Sequence, residues 1–211
     1  MIEVKKALFV GAHPDDIEMG AGATISKMIG AGIEVYAAVM TGKDEDVRRW
    51  ESSYALKELG VREDKMVFYG FEDTNLCNQL QGMVRAVDSM VKREGFDLVV
   101  SHYHADTHQD HVAVYQAVAA GARMVPNMMM FRPTYPSGRP DIPFHPTYVS
   151  RVSDKDMARK EKAMRKFVSQ ESKYGHGRWM ESLRASAAGD SWSYGGEHGF
   201  AELFQISRFV G

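Results

Sequence analysis

Short apolar runs alternate with longer stretches of helical periodicity through residues 4–122 of this 211-residue chain, and that rhythm leaves few folds open. Residues 4–11, 33–40, 66–69 and 96–101 read as buried strands, with Ala7-Leu8-Phe9-Val10 and Leu98-Val99-Val100 as clear apolar centres. Between and after them, residues 20–31, 44–59, 79–93 and 112–122 carry apolar positions at helical spacing, the first three closed by Gly30 and Gly32, Gly60 and Gly95. Strands separated by helices of roughly 12–16 residues build βαβ units, whose right-handed crossovers put helices on both faces of a mainly parallel sheet. The expected fold is α/β, a Rossmann-like three-layer α/β/α sandwich formed by residues 1–211 as one domain.

After Pro126 the texture changes. Pro133, Pro136, Pro140, Pro143 and Pro146 are five of the seven prolines. Proline cannot donate to a ladder or sit inside a helix, so residues 132–147 read as a long ordered loop near the active face or an interface arm. Residues 154–168 are again helical, with Asp154 expected as N-cap. Residues 174–199 are rich in Gly, Ser and aromatics, residues 201–210 suggest a final strand, and Met128-Met129-Met130 suits the core. The region from about 170 onward is the least patterned.

Twenty-six basic and 28 acidic residues leave a formal charge of −2, with no basic run for nucleic acid. No apolar run approaches the roughly 20 residues of a membrane span. The single Cys77 argues against a disulfide framework, and the N-terminal residues lack the pattern of a secretion signal. A cytoplasmic protein without a membrane partner is the expectation.

Two clusters carry the chemistry. His13-Pro14-Asp15-Asp16 follows the first strand, and His108-Gln109-Asp110-His111 follows the fourth. Ends of parallel strands are where α/β enzymes gather catalytic groups. Imidazoles and carboxylates meeting there suit a hydrolytic divalent cation, which needs three protein ligands and an open position. Of Asp15 and Asp16, one can hold the cation while the other faces a water. Of His108 and His111, either can bind, leaving the other to stabilise negative charge or donate a proton. Asp106 or Asp110 can orient an imidazole, and His102 and His104 read as structural. Gly20 and Gly22 suggest a close backbone approach to a ligand. Taken singly, each acid is more simply a helix cap; the whole set at two strand ends favours the metal reading. A dinucleotide site is excluded, because Gly11 is followed by His-Pro-Asp-Asp rather than G-x-G-x-x-G.

Together the two clusters closely resemble the zinc-dependent LmbE/PIG-L deacetylases, which remove acetyl groups from N-acetylglucosaminyl and related amides. Thr41-Gly42, Arg48-x-x-Glu51 leading to Leu59-Gly60, and Asp73 add to a likeness that spans about residues 4–125. Beyond that, only Ser169-Gln170 and Ala201-Glu202-Leu203-Phe204 look similar, and Gln109 stands where many members have proline. The resemblance implies His13, Asp16 and His111 as ligands of Zn2+, with Fe2+ as the other cation considered. It implies Asp15 as general base, a protonated His108 as oxyanion donor or acid, and Asp110 as support for a histidine. Arg48 and Asp73 are implied to meet polar groups of an N-acetylated sugar or glycoside. Tyr174, His176, Trp179, Trp192, Tyr194 and His198 suggest either a lid over a sugar ring or plain packing. The Pro-rich arm suggests a homo-oligomer. Two other readings are a metal-dependent sugar-binding protein without turnover and, further off, a non-haem Fe(II) oxygenase, whose two-histidine, one-carboxylate triad uses the same residue types.

Overall fold

The computed structural model describes residues 4–43, 46–133, 142–174, 178–196 and 199–210. Its centre is one seven-stranded sheet in the order β3-β2-β1-β4-β5-β7-β6. The strands are β1 (Lys6–Gly11), β2 (Glu34–Val39), β3 (Met66–Phe68), β4 (Leu98–Ser101), β5 (Asn127–Phe131), β6 (Tyr148–Val152) and β7 (Phe200–Arg208). The first five pair in parallel, while β7 runs antiparallel to both β5 and β6. The sheet is therefore mainly parallel and flanked by helices, as the alternating pattern predicts.

Period-two alternation divides the core. Ala7 and Phe9 of β1 face one layer with Val35, Ala37, Leu98 and Val100, against α1 (Asp16–Gly30), α2 (Val47–Leu59) and α5 (Asp154–Met164). Leu8 and Val10 face the other with Tyr36, Ala38 and Val99, against α3 (Leu80–Glu94) and α4 (Gln109–Gly121). The central strands β1, β2 and β4 bury both faces, which is why these runs are apolar rather than alternating with polar residues.

Strand order fixes the position of the site. From β1 the chain steps outward through β2 to β3, then returns by way of α3 to β4 on the other side of β1. The turns leaving β1 and β4 thus diverge at a topological switch point, opening a crevice at the carboxyl ends of the two strands.

Several local expectations need correction. Helix α1 begins at Asp16 rather than at residue 20, because the tight turn at His13–Asp15 ends directly in helical backbone. Gly20 and Gly22 serve packing, not a ligand. A Cβ at Gly20 would lie 2.6 Å from the Phe131 ring, and one at Gly22 would lie 3.1 Å from the Lys160 stem. Helix α5 stops at Met164, and Ser153 rather than Asp154 is its N-cap, in a reciprocal capping box with Asp156. The Met128–Met130 run is strand β5, with Met128 and Met130 buried.

Two further helices, α6 (Val168–Tyr174) and α7 (Arg178–Ser193), and strand β6 occupy sequence whose pattern did not announce them. Among the described residues, helix α7 packs small Ala187 with partly buried Leu183 and Ala188 against Val152 and Phe200, too sparse an apolar stripe to stand out. Pro136, Pro140, His176 and His198 lie outside the described residues, as do the side chains of Tyr174 and Trp179. Of the aromatic group that remains, Trp192 and Tyr194 are exposed. Among the described residues, no helix is long and apolar enough to cross a membrane.

Candidate metal centre

The loop after β1 is held by neighbouring strands before it turns. Met40 N–H donates to the Gly11 carbonyl, and Thr41 donates twice to Ala12 O, from its amide (3.0 Å) and its hydroxyl (2.8 Å). Ala12 N–H in turn donates to His102 Nε2 at 2.9 Å. An Nε2 that accepts an amide proton carries none itself, so His102 is neutral and braces the loop. Burial, then the neighbouring His111, lowers its pKa to about 4.

At the turn itself, Asp16 Oδ2 accepts His13 N–H at 2.7 Å. Asp15 then takes φ 116°, ψ −26°, a left-handed conformation in a residue that is not glycine. Such backbone costs about 1–3 kcal/mol and persists only where the surroundings enforce it. The turn separates two adjacent acids: Asp16 meets His111, whereas Asp15 meets Arg48 Nη2 at 3.0 Å.

The loop after β4 is organised by hydrogen bonds instead. Asp106 accepts His108 N–H at 3.0 Å and contacts His111 Nδ1 at 2.9 Å. His108 caps α4, its Nδ1 accepting Asp110 N–H at 3.2 Å. Asp110, fully buried, accepts the amides of Thr74 (2.8 Å) and Leu76 (3.2 Å) and reaches His13 Nε2 at 3.2 Å. Asp73 lies 3.0 Å from the same His13 nitrogen.

These contacts sort the imidazole nitrogens. His13 spends Nε2 on Asp110 and Asp73 and turns Nδ1 toward Asp16 Oδ2 (3.4 Å). His111 spends Nδ1 on Asp106 and turns Nε2 toward Asp16 Oδ1 (3.3 Å). Carboxylate–imidazole pairs of this kind fix tautomer and ring orientation in metal sites. The His13 and His111 ring centroids are 5.4 Å apart, with Asp16 in contact with both. The donor sets whose atoms all lie within 4.8 Å of one another are His13–His108–His111, Asp16–His102–His111 and His13–Asp73–Asp110, so His13, Asp16 and His111 each occur in at least one of them. His102 Nε2 already spends its one lone pair on the Ala12 amide.

Electrostatics tests whether a cation fits. Five carboxylates (Asp15, Asp16, Asp73, Asp106 and Asp110) surround the imidazoles, so the pocket attracts positive charge. Burial opposes a charged His111, yet Asp16 and Asp106 outweigh it and raise its pKa to about 9. His13 is likewise driven up to about 12 by Asp110, Asp16 and Asp73 against the same burial cost. Burial also disfavours the Asp16 anion, but the charged His111 beside it holds it well below the usual carboxylate range. A buried, anion-rich set of one carboxylate and two pre-oriented imidazoles suits a divalent cation.

Asp15 is different. Burial first, then Asp16, pushes its carboxyl up to about 7 despite Arg48. His108 is shifted downward by burial and by His111 and His13. Because its Nδ1 accepts a backbone proton, it is a neutral ring with the proton on Nε2, not the imidazolium expected from sequence.

All eight sequence-predicted residues thus gather at this crevice. Arg48 touches Pro14 O and Asp15, and Asp73 stands at its edge with a half-exposed side chain. Sequence reasoning missed the Thr74 and Leu76 amides, which no side-chain pattern can announce. It also missed Glu18 and Ser52, completely buried and joined at 2.6 Å beside the turn. A lone acid between Ile17 and Met19 is the signal that could have found Glu18.

The family model for GlcNAc-PI de-N-acetylase (PIG-L) matches residues 8–122. The uncharacterised deacetylase YaiS of Escherichia coli K12 is 38% identical over 135 residues, covering 59% of this chain and 72% of that one. The N,N'-diacetylchitobiose deacetylase of Pyrococcus horikoshii superposes with TM-score 0.76 at 22% identity, covering 98% and 85% of the two chains. GalB, the 4-carboxy-2-hydroxymuconate hydratase of Pseudomonas putida KT2440, superposes with TM-score 0.79 at 19% identity, covering 98% of each. At such identities the structural likeness is one of fold, and this fold hosts more than one reaction.

Proposed function

The chain belongs to the GlcNAc-PI de-N-acetylase (PIG-L) family of deacetylases, and from that premise we propose that it is a metal-dependent amide hydrolase. Its substrate in this reading is an N-acetylglucosamine-like sugar or glycoside, from which it removes the acetyl group. His13 through Nδ1, Asp16 and His111 through Nε2 hold the cation, with Zn2+ the first choice and Fe2+ the second. A cation bound there supplies Lewis acidity to water and to the amide carbonyl.

The chain's own groups do the rest. Asp15 takes a proton from the attacking water; a base poised near neutrality by burial suits that task. His108 offers its Nε2–H to the oxygen of the tetrahedral adduct, a kind of donor whose removal typically costs about 10²–10³ in kcat. Asp15 then returns its proton to the departing amine. Asp110 and Asp106 keep the two imidazoles aligned, and in this reading Asp73, half-exposed at the rim, accepts hydroxyl protons from a sugar.

The observation that carries this reading is the sorting of imidazole nitrogens, each ring tied by a carboxylate on one side and turned toward Asp16 on the other. The test is amine release from a panel of N-acetylated sugars and glycosides, with metal analysis on the same preparation. Turnover that follows cation loading supports the proposal. Retained metal and sugar binding with no turnover on any amide would favour the binding-protein reading instead.

A further inference from the structure

Helices α1 and α2 are joined beside the turn by two polar rungs. Arg48 and Ser52 lie one turn apart on α2, and they meet Asp15 and Glu18, which are three residues apart at the start of α1. Arg48 Nη2 donates to Pro14 O at 2.8 Å and to Asp15 Oδ2 at 3.0 Å. Ser52 Oγ donates to Glu18 Oε1 at 2.6 Å. We propose that these rungs make Arg48, Ser52 and Glu18 positioning residues for Asp15, holding its carboxylate in place despite the strained backbone beneath it.

Stability is a poor explanation for the arrangement. Arg48 Nε and Glu18 Oε2 are buried with no hydrogen-bond partner among the described residues. Burying polar atoms in that state is unfavourable, and well-packed apolar side chains in place of a buried charged pair are often neutral or stabilising. A substrate-binding role for Arg48, the role the family likeness implies, fits its contacts less well. The Nη2 nitrogen is already divided between a backbone carbonyl and Asp15. What the two rungs share is the Asp15 turn. With φ at 116° the backbone there relaxes unless something outside the loop holds it. Arg48 holds the turn directly, and Ser52 fixes the distance between the helices one turn further on.

This inference rests on Asp15 being the proton acceptor, and the test separates the two claims. In the cation-loaded enzyme, Arg48→Met should lower kcat by about 10²-fold with KM changed by less than about twofold, the scale expected of roughly 1 Å misplacement. Ser52→Ala should lower kcat by about tenfold. Glu18→Gln, which keeps the acceptor for Ser52, should stay near wild type, whereas Glu18→Leu should match Ser52→Ala. In an Asp15→Ala background, Arg48→Met should leave the residual rate unchanged, because nothing remains to position. A crystal structure of Arg48→Met, chosen because it needs no turnover, should show Asp15 out of the left-handed region. A raised KM, or an Arg48 effect that persists without the Asp15 carboxylate, would overturn the positioning role and return Arg48 to the substrate. Wild-type turnover by Asp15→Ala would instead remove the proposed base, whatever Arg48 does. Should Arg48→Met fail to fold, Ser52→Ala and the Glu18 pair carry the same comparison.

Discussion

The two loops that meet at the crevice are held by opposite means. The turn after β1 is short and strained, with Asp15 at φ 116° braced from outside by Arg48, Thr41 and His102. The loop after β4 carries its own carboxylates: Asp106 orders His108 and His111, and Asp110 is seated on two backbone amides. One loop stores backbone strain to separate two adjacent acids. The other uses ordinary backbone and hydrogen bonds to fix its imidazoles. Changes to the first should trade stability against activity; changes to the second should lose both together.

The largest effect is expected where the loops join. Asp16→Ala or His111→Ala should abolish cation retention and reduce turnover by more than about 10³-fold, beyond the loss of a single oxyanion donor. Metal analysis alongside kinetics would show it; a retained, stoichiometric cation would break the convergence between the loops.

Next comes the base. Asp15→Ala should lower turnover by about 10²–10⁴-fold while leaving cation content intact. Its stability reports on strain. Asp15→Gly should be more stable than Asp15→Ala by about 1 kcal/mol, since alanine suffers at positive φ and glycine does not. At Asp110, inside the first turn of α4, the order should reverse. Thermal melts would read the difference as a shift of roughly 2–4 °C. The same order at both positions would erase the contrast drawn here.

A smaller effect sharpens the second loop. Asp106→Asn should weaken cation binding by about 10–100-fold through loss of the His111 orientation, and Asp110→Asn should do the same through His13. Competition with a chelator of known affinity measures both. Smallest of all, Ser101→Ala removes a hydroxyl bond from its Oγ to Val10 O, and it should cost about 1 kcal/mol with kcat unchanged.

Legibility followed the same division. Strands β1, β2 and β4 stood out because burial on both faces makes an unbroken apolar run, and the residues at the ends of β1 and β4 are chemically conspicuous. The strain at Asp15 left no trace in composition, since an Asp before a helix ordinarily reads as a simple cap. The brace from Arg48 depends on how α2 lies across α1, a packing fact with no local pattern. The gathering of Asp110 onto His13 required the Thr74 and Leu76 amides, which come from the segment between β3 and α3. In the C-terminal region, β6 and α7 were hidden for another reason. An edge strand with a partly exposed pattern and a helix presenting two alanines and one leucine bury too little apolar surface to impose a period.

The most direct test of the whole account is an anomalous-scattering map from a crystal equilibrated with Zn2+. A single strong peak bonded to His13 Nδ1, the Asp16 carboxylate and His111 Nε2, with Asp15 close by but unbonded, is the predicted result. A principal peak on His102, or on the Asp73–Asp110 side of His13, would contradict it.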